Sequence, residues 1–196
     1  MLTVILTGGK SLRMGRDKAS LPTSRGPMSL ALAERYAVLG PVAFSVDRPG
    51  RFDCGDFPEL PDVYPGCGPF NGIYSAFLYT REDTVFLTAT DMPLGDADLV
   101  RELAARKGEA CACAIQWRSG FIEPLFALYD RRCFPLAEEC LQTGLLSLQE
   151  VFRRLPVRLV PEEELSGWDL ERVLCNINTP ETYRRFFEAE TGGGEA

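Results

Sequence analysis

The chain has 196 residues, 45% of them hydrophobic and 25% charged, the size and composition of one soluble globular domain. Its 21 basic and 28 acidic side chains give a net charge of −7, which argues against broad binding to nucleic acid. Histidine is absent. That excludes Ser-His-Asp hydrolysis, Cys-His proteolysis, the H-E-x-x-H zincins and His-containing zinc fingers, so proton or phosphate chemistry must use Asp, Glu, Lys, Arg or a bound metal.

Short apolar runs alternate with amphipathic ones. Leu2–Leu6 reads as a buried parallel strand, and a Gly-rich loop follows through Lys18. A helix is predicted over Ser29–Leu39, ended by Gly40-Pro41, and a strand over Val42–Val46. Residues 50–62, with Pro58 and Pro61, read as loop. Pro65–Pro69 reads as a turn whose last proline opens a helix over Phe70–Tyr79. Thr84–Ala89 is apolar enough for a central strand. Leu94–Lys107 reads as a helix with Asp96 and Asp98 in its first turn.

Strands are predicted over Ala110–Gln116 and Pro124–Tyr129, and helices near Arg131–Leu141 and Leu146–Arg154. Strands over Val157–Val160 and Leu174–Ile177 then precede a helix started by Thr179-Pro180-Glu181. This alternation predicts an α/β fold, a mostly parallel twisted sheet with helices on both faces. It forms a single domain over residues 1–190, with the Gly-rich tail 191–196 disordered. Ligands of such sheets sit beyond the carboxyl ends of the strands.

The seven cysteines include no C-x-x-C pair and read as buried free thiols. A short apolar run precedes the basic residues, the reverse of a signal peptide, and no stretch reaches the 18 apolar residues of a membrane span. The expectation is a cytoplasmic protein with no membrane contact.

Charge is unevenly placed. Residues 1–25 carry Lys10, Arg13, Arg16, Lys18 and Arg25 against Asp17 alone. They coincide with the loop Leu6-Thr-Gly-Gly-Lys-Ser-Leu-Arg-Met-Gly-Arg-Asp-Lys18, whose glycines let backbone N–H groups approach an anion. Arg13 and Lys18 add full charges. The loop is not a Walker A motif, because Val4 stands where a glycine is needed. Nor is it a dinucleotide fingerprint, because Gly8 and Gly9 are adjacent and Leu12 replaces the last glycine. A second loop, Thr90-Asp-Met-Pro93, follows the central strand. Asp91 there suits Mg²⁺, which takes one or two carboxylates plus substrate phosphates; the structural alternative is an Asp that caps a turn before Pro93. Asp62, Glu123 and Asn178 are lesser candidates. Asp62 reads otherwise as a solvated acid and Glu123 as an edge charge. Asn178 is not needed for capping, since Thr179 serves that purpose.

The first loop resembles the L-A-G-G-x-S-x-R-M-G-x-D-K signature of the molybdenum cofactor guanylyltransferase (MobA) family of Rossmann-like nucleotidyltransferases. The likeness continues through Asp62, Gly68-Pro-Phe-Asn-Gly72, Thr90-Asp-Met-Pro93, Glu123-Pro-Leu-Phe-Ala-Leu-Tyr129, Gly144 with Ser147, and Asn176-Ile-Asn-Thr-Pro-Glu181. It implies attack by the terminal phosphate of molybdenum-carrying molybdopterin on the α-phosphate of GTP, with pyrophosphate leaving.

Carried over by position, Leu6, Thr7, Gly8 and Gly9 contact the nucleotide through the loop, and Asp62 contacts it too. Lys18 neutralises its phosphates. Asp91 binds Mg²⁺ and the phosphates, with Asn178 as a second metal ligand. Lys18, Asp91 and Arg13 form the catalytic set. Asp47 falls near a nucleotide contact where the family carries Asn; Thr7 replaces an Ala, and Thr90 a frequent Cys. The implied partners are GTP and molybdopterin, with transient contact to proteins that deliver or accept the cofactor. Two alternatives stand beside this reading. One is the CTP-dependent sister enzyme, whose L-A-A-G contrasts with Leu6-Thr-Gly-Gly9; the other is a nucleotide-binding regulator without catalysis.

Overall fold

The computed structural model describes residues 1–7, 18–64, 66–145 and 147–188. The predicted anion loop beyond Thr7, including Gly8, Gly9 and Arg13, and the predicted tail 191–196 lie outside them. Strand β1 (Leu2–Leu6) is buried along its whole length. After a 3₁₀ turn at Lys18–Ser20, a small antiparallel hairpin of β2 (Pro22–Thr23) and β3 (Gly26–Pro27) leads into helix α1 (Met28–Tyr36). Strands β4 (Val42–Val46) and β5 (Glu59–Pro61) come next. Helix α2 (Pro69–Tyr79) begins on the predicted proline.

Strand β6 (Thr84–Ala89) precedes α3 (Ala97–Lys107), whose cap Asp96 accepts from the backbone N–H groups of Asp98 and Leu99. Strands β7 (Ala112–Gln116) and β8 (Ile122–Asp130) are followed by α4 (Phe134–Thr143), α5 (Leu148–Arg154) and β9 (Val157–Pro161). The chain closes with α6 (Leu170–Val173), α7 (Pro180–Tyr183) and a π-helical turn over Arg184–Glu188.

The seven main strands form one sheet in the order β5-β4-β1-β6-β8-β7-β9. All neighbours are parallel except the two pairs made by β8. The sheet is therefore mostly parallel, as the alternation of elements predicts. Period-2 alternation splits its side chains between two cores. Leu2, Val4 and Leu6 of β1 and Val85, Leu87 and Ala89 of β6 pack with α2, α4 and α5. Ile5, Phe44, Phe86 and Ile115 pack on the other face with α1 and α3.

Two expectations are corrected. The stretch taken as loop before Asp62 contains β5, which pairs with β4 although it ends in proline, because an edge position loses little to a missing N–H. The predicted strand at Leu174–Ile177 is not one: α6 ends at Val173, and the segment that follows crosses over the end of β6 instead. The sequence reading also passed over the β2–β3 hairpin, whose strands are only two residues each. Five cysteines are buried, while Cys67 and Cys175 are half-buried. Among the described residues no helix is long and apolar enough to cross a membrane.

Candidate active site

The ends of β4, β1 and β6 lie side by side, and short backbone bonds tie them together. Thr7 follows β1, and both its backbone N–H and its hydroxyl donate to the Ser45 carbonyl, at 3.1 and 2.7 Å. On the other side the Leu6 carbonyl accepts from Thr90 N–H at 3.0 Å and from the Thr90 hydroxyl at 3.4 Å. Thr7 and Thr90 thus satisfy their buried hydroxyls locally, so each polar side chain is tolerated where a smaller or less polar residue would also fit.

Helix α2 reaches this edge because Gly72 lacks a side chain: a Cβ there would lie 2.2 Å from Leu6 Cδ2. Beside it, Ser45 Oγ donates to Asp62 Oδ1 at 3.1 Å. Burial raises the Asp62 carboxyl above its ordinary value, partly offset by the hydrogen bond from Ser45. Asp62 is therefore no freely solvated acid. Asp47, by contrast, is exposed and pairs with Arg51 at 3.2 Å.

Three predicted residues converge from distant parts of the chain. Lys18 Nζ donates to Asn178 Oδ1 at 2.5 Å and stands 3.7 Å from Asp91 Oδ2. The backbone closes the same junction, since Ile177 N–H donates to the Asp91 carbonyl at 2.7 Å. The turn after β6 is closed by Met92 N–H on the Ala89 carbonyl at 3.0 Å. One carboxylate oxygen, Asp91 Oδ1, is buried with no hydrogen-bond partner among the described residues. Burial raises the Asp91 carboxyl, and the Lys18 charge pulls it back down.

Glu123 is no edge charge. β8 runs between β6 and β7; its pairing with β6 ends at Leu87 opposite Ala127, and past an irregularity in the register Glu123 lies near enough to Asp91 for the two charges to interact. The side chain is 7% exposed, and its Oε1 accepts from Leu125 N–H at 3.2 Å. Burial, with a further push from the Asp91 charge, moves its carboxyl up to about 7. The sequence reading missed Ser45, which sits in an apolar strand and belongs to no motif. Only the neighbouring strand ends show that it bridges Thr7 and Asp62.

The profile of the MobA-like NTP transferase domain matches residues 3–160. A probable molybdenum cofactor guanylyltransferase of Carboxydothermus hydrogenoformans is 32% identical over 192 residues, covering 95% of each chain. Another, from Methanosarcina mazei, is 31% identical over 192 residues, 91% of this chain and 86% of the relative. The crystal structure of molybdopterin-guanine dinucleotide biosynthesis protein A from Archaeoglobus fulgidus superposes with a TM-score of 0.81 at 23% identity. It covers 98% of this chain and 100% of that one. The chain belongs to the MobA-like NTP transferase family and is a nucleotidyltransferase on a Rossmann-like fold.

Proposed function

We propose that the protein transfers GMP from GTP to the terminal phosphate of molybdopterin carrying molybdenum, releasing pyrophosphate and forming the guanine dinucleotide form of the cofactor. The observation that carries this reading is the meeting of Lys18, Asp91 and Asn178 beyond the carboxyl ends of β1 and β6, where the nucleotide loop begins. The relatives' names supply the substrate pair. The nucleophile is already an anionic phosphate, so the reaction needs positioning and charge neutralisation rather than a general base. That matches a chain without histidine.

In this reading Leu6, Thr7, Gly8 and Gly9 hold the nucleotide through the loop, and Asp62 contacts it as well. Lys18 neutralises the phosphate oxygens, together with Arg13. Its ammonium is aimed by Asn178 on one side and Asp91 on the other, so it meets the substrate in a fixed position. Asp91 fits Mg²⁺: it is an oxygen donor at a strand end with one buried oxygen that lacks a partner among the described residues. Asp91 would hold the ion; Asn178 Oδ1, which accepts from Lys18 at 2.5 Å, would serve as second ligand only by exchanging that hydrogen bond for the metal. When bound, Mg²⁺ stabilises the charge that develops on the phosphates.

The test is a turnover assay with GTP, Mg²⁺ and molybdopterin, following pyrophosphate release, with CTP in a parallel reaction. GTP-dependent release coupled to formation of the guanine dinucleotide is expected. Equal or faster turnover with CTP transfers the reading to the cytidylyltransferase, and binding of GTP without any release makes the protein a nucleotide sensor.

A further inference from the structure

A second concave site lies apart from Lys18, Asp91 and Asn178, none of which lines it. It is an open cleft of about 700 Å³, within the size range of small-molecule sites. Three arginines border it, each from a different element: Arg25 on the β2–β3 hairpin, Arg35 on α1 and Arg172 on α6. Trp168 and Phe187 add aromatic surface to its wall.

The charges in this cleft are unequally used. Its two acids are Asp96 and Asp169, and helix ends occupy both. Asp96 Oδ1 accepts from the N–H groups of Asp98 and Leu99 at 2.7 and 3.2 Å, and Asp169 Oδ1 accepts from Arg172 N–H at 3.1 Å. A carboxylate held at a helix N-terminus has part of its charge compensated there. Arg35 donates to the Gly95 carbonyl at 2.9 Å, which fixes its position without neutralising it. Among the described residues, the guanidinium groups of Arg25 and Arg172 have no hydrogen bond or ion pair. The cleft therefore keeps a net positive field beside an indole ring. Arginine forks recognise phosphate, and an indole offers a face to a planar ring.

We propose that this cleft binds a second, separate ligand of mononucleotide size, a planar heterocycle bearing a phosphate. The phosphate lies between Arg25 and Arg172, and the ring lies against Trp168. The site stands independently of the proposed transfer reaction. It nevertheless touches both halves of that machinery, because Arg25 follows the Lys18 turn and the lining residues Pro93 and Leu94 follow Asp91.

GMP is the probe, with guanosine and inorganic phosphate as controls, titrated into the full chain while tryptophan fluorescence is followed. GMP is expected to change the signal saturably, and Trp168→Phe abolishes that change. The double variant Arg25→Ala/Arg172→Ala raises the midpoint about tenfold or more, as loss of charge-assisted phosphate contacts requires. Guanosine binds far more weakly than GMP. Asp91→Ala, in the candidate active site, leaves the titration unchanged. Both arginines are exposed, so the double variant folds, and its circular dichroism spectrum verifies this. A titration unaffected by the arginine changes but lost in Asp91→Ala places GMP in the active site alone and overturns the proposal, while leaving the transfer reaction standing. The absence of any Trp168 response to GMP at millimolar concentration overturns it as well.

Discussion

The Lys18 ammonium donates to Asn178 Oδ1 across 160 residues of sequence, and the same ammonium faces Asp91 at 3.7 Å. The C-terminal segment is thereby part of the candidate site. Its grip is double, since Ile177 also bonds the Asp91 carbonyl, and further on Tyr183 donates to the Pro22 carbonyl. Phe187 and Ile177 pack with Leu21 and Met28, so the segment after α6 is held against the Lys18 turn and the β2–β3 hairpin.

Asp91→Ala is expected to lower turnover by about 10²-fold or more with the fold intact, because in the proposed mechanism it removes the carboxylate that would hold the metal ion against the phosphates. The check is steady-state pyrophosphate release at saturating Mg²⁺ beside a thermal melt. Near wild-type turnover would return Asp91 to a structural role.

Glu123 should leave a signature in stability against pH. Its carboxyl lies at about 7 in the folded chain against an ordinary 4.5, chiefly because burial disfavours the charge. The folded state then binds the proton more tightly than the unfolded state. The stabilisation is fully present below about 4.5 and is lost as pH rises through 7. The full span is at most about 3 kcal/mol. Glu123→Gln carries no such proton, so its stability relative to wild type should climb between these limits and level off above. Denaturant melts of both proteins at a series of pH values measure this. A pH-independent difference would show that burial does not raise the Glu123 carboxyl above its unfolded value.

Gly95 marks a packing limit on the opposite face. A Cβ there would lie 2.0 Å from Tyr36 Oη and 3.1 Å from Phe126 Cε2, both on side chains buried completely. Gly95→Ala should therefore destabilise the fold by about 1–3 kcal/mol, the usual cost of overpacking. A larger effect is expected than for Gly72→Ala, whose clash is with the flexible end of Leu6. Chemical denaturation of the two variants compares them. Equal costs would mean that Tyr36 swings aside as easily as Leu6.

What the sequence makes legible is local. β1 and β6 announce themselves because a strand buried on both faces is apolar or β-branched at every position, and Pro69 and Thr179 mark helix starts through backbone chemistry that neighbouring residues determine. β5 escapes because Glu59-Leu-Pro61 is short and ends in proline. The direction of β8 escapes because only its partners β6 and β7 fix it. In the site, Asp91 is legible from its position after an apolar strand. Asn178 is legible only through the motif and through Thr179 taking the cap, which it does by accepting from Thr182 N–H at 3.2 Å. No local pattern contains the contact of Asn178 with Lys18, nor the buried neighbourhood that moves Glu123, because both depend on strand order.

That contact separates two roles for Asn178. Lys18→Ala should lower kcat/KM by about 10²-fold or more, because a charge aimed at oxygens that gain negative charge acts most strongly in the transition state. Lys10→Ala, in the same basic segment but at the open position of the signature the loop resembles, should cost only what a surface charge costs. A general attraction of GTP to the segment would make both defects similar and would let both fade with salt, whereas a positioned contact keeps only the Lys18 defect severe at high ionic strength. Asn178→Ala extends the comparison. If Asn178 works by aiming Lys18, its loss matters little once Lys18 is gone, and the double variant resembles Lys18→Ala alone. If it holds Mg²⁺ independently, the two losses add, and Asn178→Ala raises the Mg²⁺ concentration needed for half-maximal turnover. The 2.5 Å hydrogen bond makes the non-additive outcome the expected one. Full additivity together with a shifted Mg²⁺ requirement would assign Asn178 to the metal instead.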